Sequence, residues 1–499
     1  MVPLLDSALG LADLVRQRAV SPVELVDACL ERIEALNPQL NAYVAIDAAA
    51  ARRTAREAEQ RVLAGTTLGA LHGVPVSIKS AVAVNGQPWE TGSRFRAGIR
   101  ADADAPLVAR LRDAGAIVIG VTNVAEQLMA WETDNGLYGR TNSPWALDRT
   151  PGGSSGGEAA AIAAGLSAGG IGSDGGGSIR VPAHFSGICG LKPTPGRVPA
   201  TGHHPPCAGI FALTGVVGPM ARTIDDVSAL LHAIAGPDPG DPNGHPVPLF
   251  PPPDAAAVGW FEDDGDVPVT AETRAAVRQA AGWLKDAGWN VEPFRPDVLE
   301  EARELWWEIF GRASRLLLEP LVLGREPEVH RNLVEFLEWT RRDPPISVRR
   351  LLEVEIQRDL LKTRLAHQMA RFPVLLCPVA PTPAFRHGER EWTIDGRTVP
   401  YLDAWRYTAW FNLLQNPAVS VPVRLSPEGL PIGVQVVTRP WEELLALSAA
   451  KVIEQSRGAW IAPPAPFGST FASGAQDAPP QEENAGTAQA RTPQTVISP

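Results

Sequence analysis

Only four of the 499 residues are cysteine, and Cys29, Cys189, Cys207 and Cys377 lie far apart, with no CxxC pair and no Cys/His cluster at zinc spacing. That excludes a disulfide-dense scaffold and a zinc finger, and it suits a reducing compartment. His203 and His204 are adjacent, and neighbouring residues seldom point at one ion, so no metal is implied. Lysine is scarcer than its charge class suggests: Lys79, Lys192, Lys285, Lys362 and Lys451 are the only five among 45 basic residues. Acidic residues number 56 and the formal net charge is −11, so no basic field would steer a nucleic acid or hold the chain on an anionic membrane. There is no run of about 20 apolar residues, the length a spanning helix needs. The longest uncharged stretches, such as 198–221, are broken by His203, His204, prolines and glycines. The opening MVPLLDSALGLADLVRQ has no basic segment ahead of an apolar one, and Asp6 and Asp13 interrupt it. No secretion signal is read there, and a cytoplasmic location is expected.

What remains is ordinary globular material. Apolar residues make up 44% and charged residues 20%, enough for a sizeable core. Ser21-Pro22-Val23-Glu24 reads as a helix start: a Ser cap, Pro at the first position and Glu closing a capping box. Val26, Leu30 and Ile33 continue one apolar face until Asn37-Pro38, where the helix should stop. A second helix is expected over 47–64. Val74, Val76 and Ile78 then alternate in a short strand that ends on Lys79, and a helix over 107–114 precedes an apolar strand at 116–121. Alternating elements of this kind predict an α/β core. Residues 150–200 are so rich in Gly, Ser and Pro that they read as loops inside the fold. The stretch from about 237 to 370 reads as a helical insertion, strands return at 374–379, 418–423 and 432–437, and a helix follows over 442–455. After Phe467 the composition turns to Ser, Ala, Gln, Pro and Glu, so 469–499 is expected to be a disordered tail.

The densest chemical signal is a pair of glycine loops that carry serines, Pro151-Gly152-Gly153-Ser154-Ser155-Gly156-Gly157 and Gly172-Ser173-Asp174-Gly175-Gly176-Gly177-Ser178-Ile179-Arg180. Glycines let backbone N–H groups crowd toward a ligand, as an oxyanion hole requires, although two tight turns would look the same. Residues 170–175 fit GxGxxG, yet no acidic residue lies between Asp174 and Asp225 to hold a ribose, which excludes a dinucleotide site. No Lys-Ser or Lys-Thr pair follows either glycine run, so the phosphate loop of nucleotide hydrolases is absent. Ser154 and Ser155 both satisfy GxSxG, but no Asp and later His stand at identifiable positions to complete that triad. A neutral lysine can also activate a serine, whereas arginine cannot give up its proton. Lys79, at the end of an apolar strand in a lysine-poor chain, is the first candidate; a lysine reaching from a strand end to solvent is the alternative.

Three blocks, Gly73-Val74-Pro75-Val76-Ser77-Ile78-Lys79, the glycine loop at 151–157 and Gly190-Leu191-Lys192-Pro193-Thr194-Pro195-Gly196-Arg197, closely resemble the amidase signature family. Similarity continues at 139–145, 218–223 and 416–435, covering roughly residues 5–467. Glu132-Thr133-Asp134-Asn135 and Gly187-Ile188-Cys189-Gly190 look most like the fatty-acid-amide-hydrolase-like branch. The resemblance implies a large mixed twisted sheet covered by helices on both faces, with one amidase domain over 1–468. It implies a Ser-Ser-Lys triad with Lys79 as base, Ser154 as bridge and Ser178 as nucleophile, a cis Gly153–Ser154 peptide, and an oxyanion hole from the amides of Gly175, Gly176, Gly177 and Ser178. Ammonia or an amine would leave, water would free the acid from an acyl-enzyme, and no cofactor is needed. Lys79 would need burial to lower its pKa, so the rate should rise with pH. Ser155, Asp174 and Arg180 are supporting candidates, the last two as an ion pair that braces the loop. Two positions depart from the family: Ser80 follows the lysine where an aspartate is common, and Gly175 stands where a larger residue is frequent.

Leu128, Met129 and Trp131, together with the segment Leu305-Trp306-Trp307 and Phe310, could line an acyl pocket, which favours an apolar or aromatic amide; core packing is the alternative for each. The rival function is the glutamine-hydrolysing component of a tRNA-dependent amidotransferase, with a partner supplying the RNA contacts. A non-catalytic scaffold on the same fold is a third reading. A homodimer is possible, but no interface is legible in the sequence.

Overall fold

The computed structural model describes residues 2–469, so nearly all of the expected tail lies outside the described residues. Thirteen strands run in chain order: β1 Tyr43–Ile46, β2 Pro75–Lys79, β3 Ile117–Thr122, β4 Gly169–Asp174, β5 Cys189–Lys192, β6 Val216–Ala221, β7 Ala257–Trp260, β8 Asn290–Pro293, β9 Val374–Pro378, β10 Glu391–Ile394, β11 Arg397–Pro400, β12 Ala418–Leu425 and β13 Pro431–Thr438. Eleven of them form one sheet in the order β1-β3-β2-β4-β6-β5-β12-β13-β9-β7-β8, while β10 and β11 pair as a separate hairpin. The sheet is mixed. β2 runs parallel to both β3 and β4, whereas β4–β6, β5–β12 and β12–β13 are antiparallel.

The period of two along a strand decides which helices cover which face. On β12 and β13, Val419, Val421, Ile432, Val434 and Val436 join one large core with helices Ala271–Asp286 and Glu443–Arg457. Gln435 and Gly433 on the same strands turn the other way, toward the helix Arg180–Ser186, where they meet Arg180 and His184. A second, aromatic core gathers Trp131, Trp306, Trp405, Tyr407 and Trp410 on that side. The sheet is thus an α/β frame flanked by helices, with its polar machinery held between the strand ends and the aromatic layer.

Most expected elements form within a residue or two. The helix Pro22–Leu40 carries its capping box at Ser21 and Glu24 but passes through Asn37-Pro38 before ending at a left-handed Asn41. In the last turn, the Asn37 carboxamide oxygen accepts from the backbone N–H of Ala42 and of Tyr43, so the exit is capped beyond the proline rather than before it. Residues 150–200 differ more: they are not loops but contain helices Gly156–Ala163 and Arg180–Ser186 with strands β4 and β5. Small residues here serve close packing. A Cβ on Gly157 would lie 2.5 Å from the Asn123 backbone, and one on Gly170 would overlap Glu158 Oε1. The stretch 237–370 holds β7 and β8 at the sheet edge as well as helices, so it also extends the sheet.

Candidate active site

Lys79 is the last residue of β2 and is wholly buried. Its Nζ lies 2.7 Å from Ser154 Oγ, 2.9 Å from Ser173 Oγ and 3.4 Å from the Ser173 carbonyl oxygen. Burial pulls the lysine down from its ordinary 10.5 to about 7, against the opposing pull of Asp174, Cys207 and Glu158. Glu158 is itself buried and raised to about 7; Ser77 and Thr122 donate hydroxyl bonds to its carboxylate. Lys192 is also buried and near 7, but among the described residues its Nζ hydrogen-bonds the Pro193 carbonyl at 3.0 Å and none of the serines.

Ser154 follows a cis peptide bond from Gly153, in the loop that leads into the helix Gly156–Ala163. Ser178 lines a cavity that Ser154, Ser173 and Gly175 also line. Ser155 does not face the cavity; its hydroxyl bonds the Ser173 carbonyl at 3.3 Å and accepts from the Ser173 N–H at 3.4 Å, fixing the residue that partners Lys79. Sequence alone does not mark Ser173, because nothing local distinguishes it from the serines around it. Ser80 is buried, and its hydroxyl meets no partner among the described residues.

The loop from Asp174 to Ser178 is pinned from several elements. Asp174 and Arg180 form a fully buried pair, with the guanidinium Nε and Nη2 each 3.0 Å from the carboxylate. Burial would push the Asp174 carboxyl up, but Arg180, Lys192 and Asn412 hold it well below the usual carboxylate range. Asn412 Nδ2 donates to the Asp174 carbonyl, Trp306 Nε1 to the Gly175 carbonyl, and both Trp131 Nε1 and Thr408 Oγ1 to the Gly176 carbonyl. A peptide N–H points opposite its own carbonyl, so holding three successive carbonyls also aims the next three amides. One of them is already used: the Gly177 N–H donates to Asp174 Oδ1 at 2.7 Å. The amides of Gly175, Gly176 and Ser178 meet no acceptor among the described residues. Gly177 therefore drops out of the expected donor set.

The cavity measures about 130 Å³, and its wall is mainly apolar, including Leu128, Met129, Phe211, Phe310 and Leu318. Two of the three expected pocket residues line it. Trp131 does not: it is buried, stacks on Trp405 with ring centroids 4.9 Å apart and spends its indole N–H on the loop. An indole N–H taken out of water needs an acceptor, and the loop carbonyl supplies it. Trp306 and Trp307 line a different cleft. Among the described residues no group of three or more His, Cys, Asp or Glu side chains could hold a metal ion, and no helix is long and apolar enough to cross a membrane.

A pinned glycine loop, two serines and a buried lysine thus gather near the ends of β2 and β4. The sequence model of the Amidase family matches residues 24–447, and the chain belongs to that family of amidase signature enzymes, hydrolases of amide carbon–nitrogen bonds. It is 37% identical to an indoleacetamide hydrolase of Bradyrhizobium diazoefficiens over 91% of this chain and 86% of that protein. Its identity to a glutamyl-tRNA(Gln) amidotransferase polypeptide of Anaeromyxobacter sp. is 34%, over 91% of this chain and 96% of that protein. Among solved structures, a bacterial aryl acylamidase superposes with a TM-score of 0.80 at 26% identity, covering 91% and 97% of the two chains.

Proposed function

We propose that the chain hydrolyses a small apolar or aromatic carboxamide through an acyl-enzyme on Ser178, with Ser154 and Lys79 as the proton relay. The observation that carries this reading is the 2.7 Å contact between a wholly buried Lys79 and Ser154 Oγ, at a cavity that Ser154 and Ser178 both line. With its pKa near 7, Lys79 is substantially neutral at physiological pH and can take a proton from Ser154 as Ser154 takes one from Ser178. Ser178 Oγ then attacks the amide carbon. The N–H groups of Gly175, Gly176 and Ser178 are the donors for the developing oxyanion, the first two preorganised by the side chains that hold the carbonyls of Asp174 and Gly175 and the third by the Val181 N–H that holds the Gly177 carbonyl. The proton on the relay passes to the leaving nitrogen, the amine departs, and the same relay activates water to release the acid.

The apolar wall and the small volume support an aryl or short aliphatic acyl group, and the likeness to an indoleacetamide hydrolase and an aryl acylamidase points the same way. The likeness to the amidotransferase polypeptide keeps glutamine as the competing substrate. The test is ammonia release by the purified chain over aryl, aliphatic and amino-acid amides, with Ser178→Ala in parallel. Turnover of aryl amides that vanishes in the variant is expected; folded Ser178→Ala protein with ordinary turnover would refute the nucleophile, and selective turnover of glutamine would refute the substrate class.

A further inference from the structure

Gln127 lines the same cavity and is only 3% exposed. Neither the oxygen nor the nitrogen of its carboxamide meets a hydrogen-bond partner among the described residues, yet neither atom is sealed in the interior. A residue this nearly buried has little open surface beyond the cavity it lines, so the open ends of the carboxamide belong to that cavity. The backbone carries it there. Gln127 and Leu128 are both left-handed, with φ of 49° and 66°, a conformation costly for residues that bear a Cβ, and both line the cavity. The Gln127 N–H donates to the Thr91 carbonyl at 3.0 Å, and two residues earlier the Ala125 N–H donates to the Ser154 carbonyl at 3.4 Å, so the turn is anchored beside the proposed relay. Three polar neighbours are committed elsewhere, Ser154 and Ser173 to Lys79 and Asp174 to Arg180. Among the lining residues only Gln127 carries an N–H donor and a C=O acceptor side by side in one planar side-chain group. With no protein partner to fix which end is which, a bound ligand decides how that group turns. In a wall this apolar, an unpaired carboxamide favours a ligand that satisfies both of its ends and penalises one that satisfies neither.

We propose that Gln127 is a specificity-determining residue of the pocket, whose carboxamide pairs with a primary carboxamide of the substrate, accepting from its N–H and donating to its oxygen. The inference rests on the hydrolase reading for its setting, but not on the identity of the nucleophile. Two sources bring this group, the scissile amide itself and a second amide on the acyl part. Two substrate pairs separate them: phenylacetamide against methyl phenylacetate, and 2-benzylmalonamide against 3-phenylpropanamide, which lacks the second carboxamide.

Gln127→Leu keeps most of the bulk and deletes both polar ends; Gln127→Asn returns a shorter carboxamide on a residue at ease in left-handed backbone. At least one of the two ratios of kcat/KM, amide to ester or diamide to monoamide, is expected to fall about tenfold or more in Gln127→Leu and to recover in part in Gln127→Asn. A fall in the first ratio assigns the scissile amide, and a fall in the second assigns a second amide. Both ratios unchanged in Gln127→Leu would overturn the proposal. Should that variant fail to fold, ¹⁵N-glutamine side-chain spectra of the Ser178→Ala protein decide instead, the Gln127 signal being the one missing when Gln127→Asn is added. A downfield shift of its N–H protons on saturation with 2-benzylmalonamide is expected, and protons left unmoved would overturn the proposal. Those spectra need no turnover, so an inactive wild-type chain would sink the hydrolase reading and leave the Gln127 question answered.

Discussion

Replacing Lys79 by Met tests the relay and its energetics together. The lysine is wholly buried, and its fall from 10.5 to about 7 is driven by burial. At about 1.4 kcal/mol per pH unit, that fall means the charged form is disfavoured in the fold by about 5 kcal/mol. Below about pH 7 the lysine is protonated in both the folded and unfolded chain, and the whole of that cost is present. Between pH 7 and 10.5 only the unfolded chain holds the proton, so wild-type stability climbs with pH; above 10.5 the cost is gone. Methionine has no proton to bind. The stability of Lys79→Met relative to wild type should therefore fall by about 2 kcal/mol between pH 6.5 and 8.5, read from urea midpoints at the two pH values. Activity should be lost at both. With only five lysines in the chain, ¹³Cε-lysine spectra give a direct check, since the signal missing in the variant should titrate near pH 7. A stability difference that does not change with pH, or a signal that titrates above about pH 9.5, would refute the account of Lys79 as a neutral base.

Three further outcomes are expected. Trp306→Phe removes the N–H that holds the Gly175 carbonyl while keeping most of the apolar volume; kcat should drop about tenfold with KM little changed, and an unchanged kcat would show that the loop needs no such pin. Asp174→Asn leaves the buried Arg180 guanidinium without its counter-charge, and equilibrium unfolding should register a loss of about 3–5 kcal/mol. Gly170→Ala drives a Cβ into the Ser77 carbonyl oxygen and the Glu158 carboxylate. Because backbone cannot yield there, the thermal midpoint should fall by several degrees or the chain should fail to accumulate in folded form.

Periodicity and end signals were enough for the individual elements: the capping box at Ser21, the alternation that ends at Lys79 and the apolar run of β3 are each written in a few consecutive residues. The scarcity of lysine marked Lys79, the resemblance to the amidase signature family marked Ser154 and Ser178, and in the tertiary structure Lys79 contacts Ser154 while both serines line one cavity. Local reading failed where tertiary packing overrides propensity. Gly169 to Asp174 looks like loop, yet it is a central strand because β2 and β6 flank it on both sides and leave no room for larger side chains. Trp131 looks like a pocket residue by type, but a buried indole must place its N–H, and the acceptor it finds lies 45 positions away in the chain, at Gly176.

The sequence alone therefore determined most of the elements, which depend on residue types at short spacing, and its resemblance to the amidase signature family supplied the kind of chemistry and the residues expected to carry it. Which serines meet the lysine and which amides remain free to donate were decided only by the tertiary structure. Those facts depend on contacts between residues such as Lys79 and Ser173, or Asp174 and Asn412, that lie 94 and 238 positions apart, and no local pattern encodes a distance of about 3 Å across such separations.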